Sequence, residues 1–154
     1  MKTAAYEECY QSIVAIWDDE GGSALDDIAL MATINSVLAH RFPHFYWTGF
    51  YRVCVDRLVV GPYIGTVGCL QIEFGRGVCG TAASTLATLI VPDVNQFPGH
   101  IACDPKSKSE IVVPVFAPDG VLIAVLDVDS DQLDAFDEDD QRGLEKIVAL
   151  FRNT

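Results

Sequence analysis

The stretch from Glu110 to Val128, EIVVPVF, APDG, VLIAVLDV, limits what this chain can fold into more than any other. Two runs rich in β-branched residues are separated by four residues, with Pro118 suited to position i+1 and Gly120 to position i+3 of a type I turn. So short a connection can join only antiparallel strands. A second pair, YWTGFYRV and LVVGPYIG, flanks CVDR and predicts another hairpin. An antiparallel sheet needs a cover for its apolar face, and helical patterns at both ends supply one. From about Thr3 to Asp19, Tyr6, Cys9 or Tyr10, Ile13, Val14 and Trp17 share a stripe that Gly21-Gly22 terminates. Ser23 with Asp26 resembles a capping box opening a second helix that runs to about His40, and a third starts near Phe136. The expected class is therefore α+β: one domain over 1–154, with a central, mostly antiparallel sheet of about six strands and the N- and C-terminal helices packed on one side.

A chain of 154 residues buries roughly two thirds of its unfolded surface, enough to fold without a disulfide or metal. No apolar run approaches the roughly 20 residues of a membrane span, and MKTAAYEECYQSIVAIWDDE lacks a signal-peptide core. A soluble, cytoplasmic protein is expected. The net charge of −12, with only 10 Lys and Arg, argues against nucleic acid and anionic membrane surfaces as partners. Most of the acids in DSDQLDAFDEDD read as a solvated turn before a helix N-terminus. Five cysteines without a C-x-x-C pair, and with His40, His44 and His100 off zinc-ligand spacing, predict no disulfide framework and no metal. Redox-active thiols remain.

Gly75, Gly77 and Gly80 spell G-x-G-x-x-G, and Asp93 falls near the distance of a ribose-binding acid. The dinucleotide reading nevertheless lacks its context. The helix after Gly80 runs only to about Leu86, the flanking elements are hairpins, and two helices and a hairpin precede the motif. The glycines instead let the backbone pass close to a site on which sulfur converges. Cys69, Cys79 and Cys103 all lie in the irregular middle of the chain, Cys103 within a long Pro- and Gly-containing loop from about Asp93 to Ser109. Cys9, in a helix, and Cys54, at a strand end, read as packing or surface residues.

These residues resemble a known family. The segments Tyr46-Trp47-Thr48-Gly49-Phe50-Tyr51, Gly61-Pro62-Tyr63, Ile72 to Ala83 (IEFGRGVCGTAA), His100-Ile101-Ala102-Cys103-Asp104, Ser109 to Pro114 (SEIVVP) and Leu126 to Ser130 (LDVDS) are similar to the free methionine-(R)-sulfoxide reductases, single GAF domains, over nearly the whole chain. The resemblance implies that Cys103 is the catalytic cysteine, left as a sulfenic acid, that Cys69 recycles it, and that Cys79 is a third thiol with a secondary role. Whether Cys69 or Cys79 meets the sulfenic acid stays open. It further implies that Glu110, Asp127 and Asp129 face the ammonium group of a free amino acid, one of them protonating the departing oxygen, with Glu110 and Asp127 the choices. Alternation along VLIAVLDVDS puts Asp127 and Asp129 on one strand face. Trp47 and Tyr51 match pocket aromatics, and His100 could favour a thiolate on Cys103. No bound cofactor is implied; a thioredoxin-type dithiol is the external reductant, and a homodimer meeting through the N-terminal helices is the implied assembly. The competing reading is a GAF ligand-binding or redox-sensing module without catalysis. A nucleotide-binding oxidoreductase rests on the glycine pattern alone.

Overall fold

The computed structural model describes residues 1–101 and 103–154; Ala102, within the HIACD motif, lies outside the described residues. Both hairpins form as the turn chemistry dictates. Strands β1 (Trp47–Cys54) and β2 (Arg57–Ile64) pair antiparallel, and so do β5 (Ser109–Phe116) and β6 (Leu122–Ser130). In the second turn the Gly120 amide donates to the Ala117 carbonyl at 2.9 Å, and Gly120 adopts φ 84°. Short strands β3 (Gln71–Glu73) and β4 (Leu89–Val91) complete the sheet among the described residues, in the order β3-β2-β1-β6-β5-β4, with every pairing antiparallel.

The two-residue alternation of each strand sorts the sheet into two apolar faces. Phe50, Ile111, Val113, Leu126 and Val128 bury one face against helices α1 (Lys2–Asp19), α2 (Asp27–Arg41) and α4 (Glu138–Val148). Trp47, Tyr51, Val112 and Val125 point the other way, beneath helix α3 (Gly77–Thr85). Asp26, not Ser23, caps α2: its side chain accepts from the Ala29 amide, while Ser23 sits in a preceding 3₁₀ turn. Asp137 caps α4 in a reciprocal box with Asp140. Asp140 departs from the solvated reading of the acidic run. It is fully buried and takes hydrogen bonds from Lys2 at 2.6 Å and Tyr6 at 2.7 Å, tying the start of α1 to α4. Among the described residues, no helix is long and apolar enough to cross a membrane.

Helix α3 starts inside the glycine pattern, four residues before the expected TAASTLA segment. Gly75 and Gly77 take φ of 79° and 62°, a region that disfavours side chains. At Gly80 a Cβ would stand 2.3 Å from the Glu73 carbonyl oxygen, so glycine is what lets α3 lie against the end of β3. Because β3 and β4 occupy opposite sheet edges, the connection through α3 crosses the sheet and packs on β5 and β6. No parallel neighbour receives it, which removes the dinucleotide reading among the described residues. Gly80→Ala is expected to lower stability by about 1–3 kcal/mol through overpacking, read as a reduced urea midpoint at unchanged slope.

Candidate active site

Strand register brings the site together. Trp47 stands opposite Asp129 and Gly49 opposite Asp127 across β1 and β6, while Glu110 stands opposite Asp129 across β5 and β6. Directly opposed residues project to the same face, so Trp47, Glu110, Asp127 and Asp129, with Tyr51 two residues beyond Gly49, converge beneath α3. Gly49 lets Tyr63 and the Trp47 ring pack directly over the strand; a Cβ there would meet Tyr63 at 2.3 Å and the Trp47 ring at 2.7 Å. Trp47 stacks on Tyr63 and Tyr51, with ring centroids 5.0 and 5.6 Å away, and its indole N–H donates to the Thr66 carbonyl at 2.9 Å. From the other side α3 supplies Gly77, Val78 and Cys79, and the long loop supplies His100, Ile101 and Cys103. For Tyr51 the core and pocket readings both hold: it is buried and lines the pocket.

Three carboxyl groups in so dry a place cannot all ionise freely. Burial, followed by the neighbouring charges of Asp127 and Asp129, pushes Glu110 well above the carboxylate range. Burial and then the Asp127 charge do the same to Asp129, despite the hydrogen bond it accepts from Ser107 Oγ. Asp127 is raised less, to about 6, by burial opposed by hydrogen bonding from Glu110 and Cys79. Glu110 is thus the proton-holding member and Asp127 the more readily ionised one. Cys79 Sγ lies 3.8 Å from Glu110 Oε1, and burial with the surrounding acids raises its pKa well above normal, so it remains a thiol. His100 Nε2 lies 3.8 Å from Glu110 Oε2, and burial lowers its pKa. His100 thus stands as a pocket-lining imidazole beside Glu110.

The raised acids carry a stability signature. A carboxyl group whose folded pKa exceeds its unfolded value favours the fold fully below the unfolded value and loses that contribution as pH rises through the folded one. For Asp127 the window runs from 3.8 to about 6 and corresponds to on the order of 3 kcal/mol. Asp127→Asn is therefore expected to gain stability relative to the parent between about pH 4 and 6 and to hold that gain above, measured by urea unfolding across the range. A difference that does not change with pH would exclude this account.

The structure separates the three candidate thiols. Cys69 and Cys103 are joined in a disulfide with Cα atoms 5.6 Å apart, whereas Cys79 is free and buried. Cys103 is exposed and Cys69 half-buried, so the bridge can be reached from solvent. Cys9 is buried and Cys54 half-buried, as packing residues are. A second clip parallels the bridge: the Thr66 hydroxyl donates to Asp104 Oδ2, joining the loop before Cys69 to the loop around Cys103. Beyond Cys103 the chain is fastened by Lys108 N to Ser130 O, 2.8 Å, and by Ser107 to Asp129. Sequence reasoning missed Thr66, Arg76, Asp104 and Ser107; their available signal was adjacency to Cys69, Cys79 and Cys103.

A curled antiparallel sheet with helices on one face and a pocket under a short helix on the other is the architecture of a GAF domain, and the GAF domain family matches residues 9–153. The chain is 45% identical to GAF domain-containing protein A of Dictyostelium discoideum, over 99% of this chain and 93% of that one. It is 38% identical to a free methionine-R-sulfoxide reductase of Saccharomyces cerevisiae, over 96% of this chain and 86% of the yeast one. The structure superposes with a TM-score of 0.92 on the free methionine-R-sulfoxide reductase of Neisseria meningitidis in complex with its substrate, at 41% identity, covering 99% of this chain and 89% of that one. The chain belongs to the GAF-domain family of free methionine-R-sulfoxide reductases.

Proposed function

We propose that the protein reduces free L-methionine-(R)-sulfoxide to methionine, with electrons from a thioredoxin-type dithiol. The observation that carries this reading is the Cys69–Cys103 bridge at the edge of a pocket floored by the buried Glu110 and Asp127 and the half-buried Asp129. The Cys103 thiolate attacks the sulfoxide sulfur while a carboxyl group delivers a proton to the oxygen. The hydroxyl so formed passes from the substrate sulfur to the Cys103 sulfur as the transient sulfur–sulfur bond breaks; methionine leaves with two more electrons on its sulfur, and Cys103 is left as a sulfenic acid. Cys69 displaces water from that acid to close the disulfide, and an external dithiol attacks the bridge and restores both thiols. Glu110, which burial and its neighbours keep protonated, is the general acid, and Asp127 faces the substrate ammonium. The first turn of α3 and the Arg76 side chain, both lining the pocket, meet the substrate carboxylate. Trp47 and Tyr51 surround the methyl and thioether carbons.

Purified protein is expected to consume NADPH through thioredoxin reductase and thioredoxin when given free L-methionine-(R)-sulfoxide. The S epimer or an N-acetylated substrate should support at least about a hundredfold lower kcat/KM, because the blocked amine leaves buried carboxylates unpaired. Equal rates with the N-acetyl compound would overturn the assignment to the free amino acid. We also propose a cytoplasmic homodimer in which the α1–α2 end meets its copy, where Ile16, Leu25 and Ile28 are exposed.

A further inference from the structure

Cys79 lines the pocket, yet the reaction above has no use for its thiol, and its neighbours are unusual. Its Sγ, a Glu110 carboxylate oxygen and an Asp127 carboxylate oxygen all lie within 4.8 Å of one another, each on a buried side chain. Tetrahedral zinc, with Zn–S of about 2.3 Å and Zn–O of about 2.0 Å, holds sulfur and oxygen ligands roughly 3.5 Å apart. Cys79 Sγ and Glu110 Oε1 are 3.8 Å apart, close to that separation without a bound ion. Asp127 supplies a second observation: the residue is only 5% exposed, yet its Oδ1 has no hydrogen-bond partner among the described residues. A buried acceptor in that state is costly unless something occupies it. Just outside the cluster, His100 Nε2 stands 3.8 Å from Glu110 Oε2 as a nitrogen donor. The other basic residue lining the pocket, Arg76, is exposed, so no buried cation balances the acids among the described residues. The pocket's space of about 50 Å³ admits an ion with the disulfide closed.

We propose that Cys79, Glu110 and Asp127 form a site for a thiophilic divalent cation, with Zn²⁺ as its ligand, that holds the metal where the substrate ammonium would otherwise sit. The metal–sulfur bond replaces the sulfur–proton bond of Cys79 and a metal–oxygen bond replaces the proton held by Glu110; both protons pass to solvent, and no electron is transferred. Mg²⁺ and Ca²⁺, which select all-oxygen ligands, are excluded by the sulfur. Zinc at this position is a competitive inhibitor and leaves Cys69 and Cys103 untouched. The metal site stands on geometry alone; the competition rests on the substrate reading above.

The test titrates full-length protein, disulfide closed, with Co²⁺ as a spectroscopic probe for zinc. One Co²⁺ per chain and a thiolate-to-cobalt charge-transfer band are expected, the band vanishing when Zn²⁺ is added. Cys79→Ser should lose the band, and Cys9→Ser and Cys54→Ser should keep it. Asp127→Asn, which preserves side-chain shape and the thiol, should weaken Co²⁺ binding by about tenfold or more, so the site is tested even if Cys79→Ser does not fold. Absence of the band in the parent protein, its survival in Cys79→Ser, or unweakened binding in Asp127→Asn overturns the site. Free methionine-(R)-sulfoxide, added to the Co²⁺ form with its disulfide reduced, should displace the ion. A band that survives saturating sulfoxide supports the metal site and overturns the placement of the substrate instead.

Discussion

Cys103→Ser is expected to lower turnover by about a thousandfold or more, whereas Cys69→Ser should release one methionine per chain and then stop. The difference follows from which sulfur meets which partner. On the proposed mechanism a serine at 103 removes the nucleophile, and neither Cys9 nor Cys79 is placed to replace it. Cys9 packs beneath the opposite face of the sheet, and Cys79 is held as a poorly nucleophilic thiol by burial and three surrounding acids. A serine at 69 leaves the attack on substrate intact but removes the group that lies in bonding contact with Cys103. Rapid-quench measurement should therefore show a single-turnover burst for Cys69→Ser, with a sulfenic acid on Cys103 trapped by a dimedone-type reagent and detected by mass. Cys79→Ser should still form the Cys69–Cys103 bridge under oxidation. Continuous turnover by Cys69→Ser would transfer the recycling role to Cys79.

The second large effect is expected at Glu110. Glu110→Gln keeps size and shape but cannot supply the proton that the sulfoxide oxygen requires, so kcat should drop by about 10²–10⁴-fold. The sign of the pH dependence follows from the raised pKa. An acid must be protonated to act, so the parent kcat should decline as pH rises through the elevated value of Glu110, and the Gln variant should lack that alkaline limb. Asp127→Asn, which removes the charge facing the ammonium, should act chiefly on KM. If instead Asp127→Asn removes the alkaline limb and Glu110→Gln spares it, the two roles are exchanged. Both variants retain the strand register and so isolate the carboxylates from the fold.

Local pattern carried much of the fold. Period-two alternation and turn residues located both hairpins, and the stripe at Tyr6, Cys9 and Ile13 located α1, because these signals are written between residues a few positions apart. The ends of elements were less legible. Ser23 and Asp26 are both good caps, and only the path of the chain selected Asp26. Alternation also put Asp127 and Asp129 on one strand face without any structure, and the family resemblance identified Glu110, Trp47 and Tyr51 as their companions. The contact of His100 with Glu110 was not legible, because the two residues, ten apart in sequence, meet only through the path of the loop.

By itself, the sequence determined an antiparallel α+β domain, and it marked Cys69, Cys79 and Cys103 as candidate thiols and the G-x-G-x-x-G as lacking its usual parallel context. Only the tertiary structure decided which of Cys69 and Cys79 lies against Cys103, and which acids share protons. The physical reason is that both depend on separations of a few ångströms between segments brought together by strand register and by one helix crossing the sheet. Cys79 is nearer than Cys69 to Cys103 along the chain, yet α3 turns it down onto Glu110 and Asp127, while the loop pinned by Trp47 and Thr66 presents Cys69 to Cys103.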